Sequence, residues 1–243
     1  MTALRFIHGW AQSSNVWHFQ QQFGDAVCIS LPGHDGAALS DDWIATLQQQ
    51  LPETPCILVG WSLGGMLAMQ LLVQHPGLQQ RIRGLVLVGS TPRFVSVPDW
   101  PHGTSPEIFQ SFVNALQGES SATATLSRFF TLMLQHTGMQ RSDIRHYSRI
   151  ATNKTTPPQT EMLKLGLHYL ASMDLRSVLD SIQLPCLIIH GSDDAIVPVS
   201  AAEYLAQHLK QSTIKTIEHA GHAPFLTHAD VFNQTLETWC QSL

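Results

Sequence analysis

The sequence predicts an α/β fold with a mostly parallel sheet of about six strands, helices on both faces and an inserted run of helices. Three observations carry this. Short Val, Ile and Leu runs that are apolar on both faces alternate with helix-like segments, as in a parallel sheet covered by helices. Hydrophobic residues make up 44% of the 243 positions and charged ones only 13%, so most of the chain must be buried. The alternation then stops between about Pro92 and Asp174 and resumes afterwards.

Taken in order, the strands are Leu4 to Ile7, Ala26 to Ile29, Cys56 to Val59, Leu85 to Val88, Cys186 to Ile189 and Thr213 to Ile217. Asp41 to Gln50, Leu63 to Gln74 and Ala201 to Lys210 have helical composition. The interruption opens with Pro92, Pro98 and Pro101 and continues through helix-like stretches at Glu107 to Leu116, Ala122 to Leu134 and Arg141 to Ile150. This gives a core of residues 1–91 and 175–243 and an insertion of residues 92–174. Placed at the carboxyl ends of the strands, the insertion would lie over the crevice where such folds bind ligands, as a lid.

Gly60-Trp61-Ser62-Leu63-Gly64-Gly65 follows a predicted strand and opens a predicted helix. Gly-x-Ser-x-Gly in that context is a nucleophile elbow: a strained turn lifts the serine hydroxyl above the sheet, and small flanking residues avoid clashes between strand and helix. The same turn puts the Leu63 N–H at a helix N-terminus, where partial positive charge favours an oxyanion.

A serine hydroxyl needs a base, and the base an orienting carboxylate, expected here in the order Ser, acid, His. His190-Gly191-Ser192-Asp193-Asp194-Ala195-Ile196-Val197-Pro198 follows the fifth strand and Ala220-Gly221-His222-Ala223-Pro224-Phe225 the last. These select Ser62, Asp194 and His222. Asp193 remains the alternative acid, as against a turn or capping role, and His219 and His228 remain alternative bases. His8-Gly9-Trp10 ends the first strand; its Trp10 N–H can supply a second oxyanion donor, or Trp10 can be only a packed aromatic. The chemistry needs no metal or organic cofactor.

These residues resemble the α/β-hydrolase family over nearly the whole chain. His8-Gly9-Trp10, Gly60 to Gly65, Ser90 to Phe94, Asp99-Trp100-Pro101, Asp174-Leu175-Arg176 and His222 to Phe225 are, more closely, similar to the pimeloyl-acyl-carrier protein methyl ester esterases of biotin synthesis. The resemblance implies an α/β-hydrolase fold and a serine esterase whose Leu63 and Trp10 hold the ester oxygen. It implies that Phe129, Phe130 and Met133 line an acyl channel, and that Arg128, Arg141 and Arg145 dock acyl-carrier protein. Two departures stand out: only seven residues precede His8, so the sheet should be about two strands shorter than the family's, and a further family arginine falls near Ala124. A broad short-chain esterase or C–C bond hydrolase on the same triad, and a silent binding module, are the competing functions.

The net charge of −5 argues against a nucleic-acid partner. It is unevenly spread: residues 121 to 154 hold Arg128, Arg141, Arg145, Arg149 and Lys154 against one acid, Asp143. Arg141, Arg145 and Arg149 are spaced to share one helix face, either meeting an anionic partner or merely solvated. Cys28, Cys56, Cys186 and Cys240 lack paired short spacing and read as buried, reduced thiols. No apolar run is long enough for a membrane span and the start has no leader pattern, so a cytoplasmic monomer without membrane contact is expected.

Overall fold

The structure, a computed structural model, describes residues 2–117, 129–131, 133–134, 139–151 and 156–243, apart from the side chains of Gln117, Arg141, Ile150 and Ala151. Six strands form one wholly parallel sheet in the order β2-β1-β3-β4-β5-β6. They are β1 Ala3–Ile7, β2 Ala26–Ile29, β3 Cys56–Trp61, β4 Ile82–Val88, β5 Cys186–Gly191 and β6 Ser212–Ile217, at the six predicted places. β1, β3 and β5 are buried along their whole length. The chain steps first from β1 to β2, then crosses back to β3 and runs outward to β6. The reversal of direction at β1 leaves a crevice between the carboxyl ends of β1 and β3.

Helix α1 spans Trp43–Gln50, started by the Asp42 carboxylate accepting from Ala45 N at 2.9 Å. Helices α2 (Leu63–Gln74), α3 (Pro106–Gln117), α4 (Arg141–Ala151), α5 (Thr160–Ser172), α6 (Val199–His208) and α7 (Ala229–Gln241) follow. The expected helix from Ala122 to Leu134 falls largely outside the described residues, although 129–131 are helical. Helices α5 and α7 were not expected. Gly166 sits in the middle of α5 and lowers helix propensity, but a Cβ there would come within 2.6 Å of Trp10 Cδ1, so packing against Trp10 requires the glycine.

Between β4 and β5 the chain leaves the sheet and returns through a clasp. Leu175 N donates to Pro92 O at 2.9 Å. The Asp174 carboxylate joins Arg93 at 2.5 Å and Arg176 at 2.7 Å, and Arg176 reaches on to Asp99 at 3.1 Å with its guanidinium 5.5 Å from the Trp100 ring. Hydrogen bonds from Arg176 hold the Asp174 pKa down to about 2. The two motifs Asp99-Trp100-Pro101 and Asp174-Leu175-Arg176 thus meet where the chain leaves and rejoins the sheet between β4 and β5.

All four thiols are unpaired, yet only Cys56 and Cys186 are buried. The expectation of four buried cysteines fails because β2 is an edge strand, leaving Cys28 partly exposed, while Cys240 lies near the end of α7. Among the described residues no helix is long and apolar enough to cross a membrane.

Candidate active site

Ser62 occupies the turn from β3 into α2, beside the crevice between β1 and β3. Its φ of 54° lies in the region that favours glycine, and such strain costs about 1–3 kcal/mol and persists only where the surroundings impose it. They do so here. Ser62 N donates to Val88 O at 2.9 Å, and Ser62 O accepts from Ser90 Oγ at 2.9 Å. A Cβ on Gly64 would lie 2.4 Å from Ile7 O, and one on Gly60 would lie 2.5 Å from Gly65 Cα. The glycines on both sides of Ser62 therefore let β1, β3 and α2 close around it.

Asp194 and His222 meet at the carboxyl ends of β5 and β6. His222 Nδ1 donates to Asp194 Oδ2 at 2.7 Å, with both side chains fully buried. Asp194 Oδ1 accepts from Ile196 N and Val197 N, each at 2.9 Å. Burial alone would raise the Asp194 pKa, but His222 and His190 outweigh it and hold the carboxyl far below its usual range. His222 Nε2 is buried without a hydrogen-bond partner among the described residues, so an acceptor nitrogen is left available. The His222 carbonyl accepts from Trp61 Nε1 at 2.8 Å, which ties the histidine turn to the residue preceding Ser62. Asp193 faces outward toward exposed His219, 3.7 Å away, and His228 pairs with Thr227 Oγ1 at 2.8 Å.

Leu63 is the first residue of α2, so its backbone N–H has no acceptor within the helix. The Trp10 side chain is packed: Nε1 donates to Leu163 O at 2.8 Å, and the ring stands 5.1 Å from Phe129 and 5.8 Å from Phe112. Phe129, Phe130 and Met133 are all buried. Met133 O accepts from His222 N at 3.0 Å, and Phe130 lines a cavity of about 540 Å³ with Arg145, Ser148 and Arg149. Arg145 and Arg149 are exposed on α4. Arg128 and the Arg141 side chain lie outside the described residues.

Ser90 and His190 stand within the sequence motifs but were given no role of their own there. Ser90 braces the Ser62 carbonyl. His190, the penultimate residue of β5, is fully buried 3.3 Å from Asp194 Oδ2. Burial disfavours its charged form, but Asp194 outweighs this and moves its pKa up. The signal available for His190 was its place four residues before Asp194 at a strand end.

Residues 6–235 match the alpha/beta hydrolase family. The pimeloyl-acyl-carrier protein methyl ester esterase of Nitrosomonas europaea is 36% identical over 239 residues, covering 94% of this chain and 92% of the relative. The similarly named protein of Aeromonas hydrophila subsp. hydrophila is 31% identical, covering 96% and 93%. An esterase structure from Exiguobacterium antarcticum superposes with a TM-score of 0.87 at 19% identity, covering 99% of this chain and 92% of that one, which bears on the fold alone. With a parallel sheet wound outward from β1, a serine at the turn after β3 and a matching span from Phe6 to Thr235, the chain belongs to the alpha/beta hydrolase family.

Proposed function

We propose that the protein is a serine carboxylesterase that hydrolyses the methyl ester of pimeloyl-acyl-carrier protein to methanol and the free carboxylate, in the cytoplasm and as a monomer. The observation that carries this is the 36% identity, over more than nine tenths of both chains, to a relative bearing that name. Ser62 Oγ attacks the ester carbonyl while His222 Nε2 takes its proton, and Asp194 holds the imidazole and stabilises its charged form. The N–H groups of Leu63 and Trp10 bind the oxyanion, and losing one such donor typically costs about 3–4 kcal/mol. Methanol leaves with the proton from His222. Water then attacks the acyl-enzyme, its proton going to His222 and on to Ser62 as the free acid departs.

The insertion, residues 92–174, acts as a lid on a core of residues 1–91 and 175–243. Supporting this are Phe129 against Trp10 and Met133 against the backbone of His222. Phe129, Phe130 and Met133 contact the apolar acyl chain. Arg145 and Arg149, with Arg128 and Arg141, meet the acidic carrier protein, and the exposure of the first two beside the Phe130 cavity favours that assignment. The test is a mass-spectrometric assay of the methyl ester, carrier-bound and free, with wild type and Ser62→Ala. The expected result is hydrolysis of the carrier-bound ester at higher kcat/KM, and none by the variant. Equal efficiency on both esters would remove the carrier protein from the proposal; unchanged hydrolysis by Ser62→Ala would remove the mechanism.

A further inference from the structure

The Asp194 carboxylate is met by polar groups from four directions. Its Oδ1 takes two backbone N–H groups, and its Oδ2 takes His222 Nδ1 at 2.7 Å. The fourth group is His190, whose Nε2 stands 3.3 Å from Oδ2 and 2.8 Å from Val197 O. A carbonyl and a carboxylate only accept, so Nε2 carries a hydrogen in either charge state of the ring, bonded to Val197 O and within ion-pair distance of Asp194 Oδ2. His190 Nδ1 is buried with no partner among the described residues, which leaves Nε2 as the ring's one hydrogen-bonding edge.

This places His190 across the mouth of a closed loop. The chain leaves β5 at Gly191, turns through Asp194 and reaches Val197, whose N–H bonds the Asp194 carboxylate and whose carbonyl bonds His190. Gly191 allows the tight path, since a Cβ there would lie 2.2 Å from Ala220 O. His190 thereby links the strand end to the far side of the loop and touches the same oxygen that orients His222. With an apolar residue at this position, Oδ2 loses one of the two histidines that face it and the carboxylate gains freedom to turn away from His222.

We propose that His190 is a positioning residue for the esterase reaction: by donating from Nε2 to both Val197 O and Asp194 Oδ2, it locks the carboxylate in the orientation that holds His222. It acts through Asp194 and does not touch substrate. The proposal rests on Ser62, Asp194 and His222 being the reacting groups.

The experiment compares His190→Leu, which removes the donor, with His190→Gln, which keeps an N–H donor on a side chain of similar reach. Hydrolysis of a small methyl ester is followed together with the downfield proton resonance of His222 Nδ1–H. The expected result for His190→Leu is a kcat about ten- to a hundredfold lower with KM nearly unchanged, equivalent to about 1.4–2.8 kcal/mol. Its downfield resonance shifts or broadens. His190→Gln recovers most of kcat and the resonance. Wild-type kcat and resonance in folded His190→Leu overturn the proposal. So does failure of His190→Gln to recover activity despite wild-type folding. Should His190→Leu fail to fold, nitrogen NMR of histidine-labelled wild type decides: a protonated Nε2 on His190 is expected, and an Nδ1–H tautomer overturns it. Ser62→Ala assayed alongside separates the two readings, because activity in that variant would refute the reacting groups themselves, whereas a dead Ser62→Ala beside a fully active His190→Leu refutes only the positioning role.

Discussion

His222 is held by Met133 as well as by Asp194: its backbone N–H donates to Met133 O at 3.0 Å. Anything that shifts Phe129 or Met133 is therefore felt at the proposed base. Phe129 is anchored between Trp10 at 5.1 Å and Phe112 at 5.0 Å. Phe129→Ala is expected to lower kcat by about tenfold, roughly 1.4 kcal/mol in the barrier, while the sheet stays folded. Turnover combined with thermal unfolding checks this, and unchanged kcat would dissociate Met133 from the reaction.

The φ of 54° at Ser62 yields a prediction in which stability and activity move oppositely. Ser62→Gly should stabilise the fold by about 1 kcal/mol, because glycine reaches that conformation without strain. Ser62→Ala should leave stability within about 0.5 kcal/mol of wild type. Both variants should lose at least about 10⁴-fold in kcat. Differential scanning calorimetry that shows Ser62→Gly no more stable than Ser62→Ala would contradict the strain argument.

Gly191→Ala tests the contact between the Asp194 loop and the histidine turn. Its Cβ would lie 2.2 Å from Ala220 O and 2.3 Å from Gly221 O, so the two segments must part. The expected cost is about 1–3 kcal/mol of stability, as for other overpacked sites, with a disproportionate loss of kcat because Asp194 and His222 move apart. Urea unfolding and ester turnover on the same preparation measure both.

His8 governs acid sensitivity. Its Nδ1 donates to Gly9 O and its Nε2 accepts from Leu31 N, joining the loop after β1 to the one after β2. Burial, then the nearby His34, lower its pKa to about 3, and burial lowers that of His34 too. Below about pH 6.5 the unfolded chain takes up protons that the folded one refuses. Stability present above pH 6.5 is therefore lost as pH falls toward 3, at up to about 1.4 kcal/mol per unit for one such group. Urea midpoints measured from pH 7 to 5 should fall, and His8→Asn should flatten the slope.

Added salt should raise KM for the carrier-bound ester more than for a small neutral one, since screening acts over about 10 Å at 0.1 M. Reversing Arg145 and Arg149 to glutamate should raise the carrier-bound KM and abolish its salt dependence without altering turnover of the small ester. Steady-state kinetics at two salt concentrations suffices.

The strands were legible because a parallel strand covered on both faces leaves an unbroken apolar run, as in Cys56 to Val59. The order of Ser62, Asp194 and His222 was legible because each sits just beyond a strand. Helix α5 was not, since Gly166 looks like a helix breaker until Trp10 is placed against it. His190 was missed for a different reason: its partners are a carbonyl and a carboxylate, and the backbone atom leaves no trace in residue identity. The bond from His222 to Met133 is wholly main-chain and equally invisible in sequence.

The clasp of Arg93, Asp174 and Arg176 brings the chain back to the point where it left the sheet. A loop whose ends are pinned together pays little for extra length, about 0.6 kcal/mol for each doubling. Insertions and deletions between those ends are then tolerated by the sheet, whatever they do to the helices between them. Substrate choice in such a molecule can drift by exchange of one cassette, while the groups that break the ester are inherited unchanged.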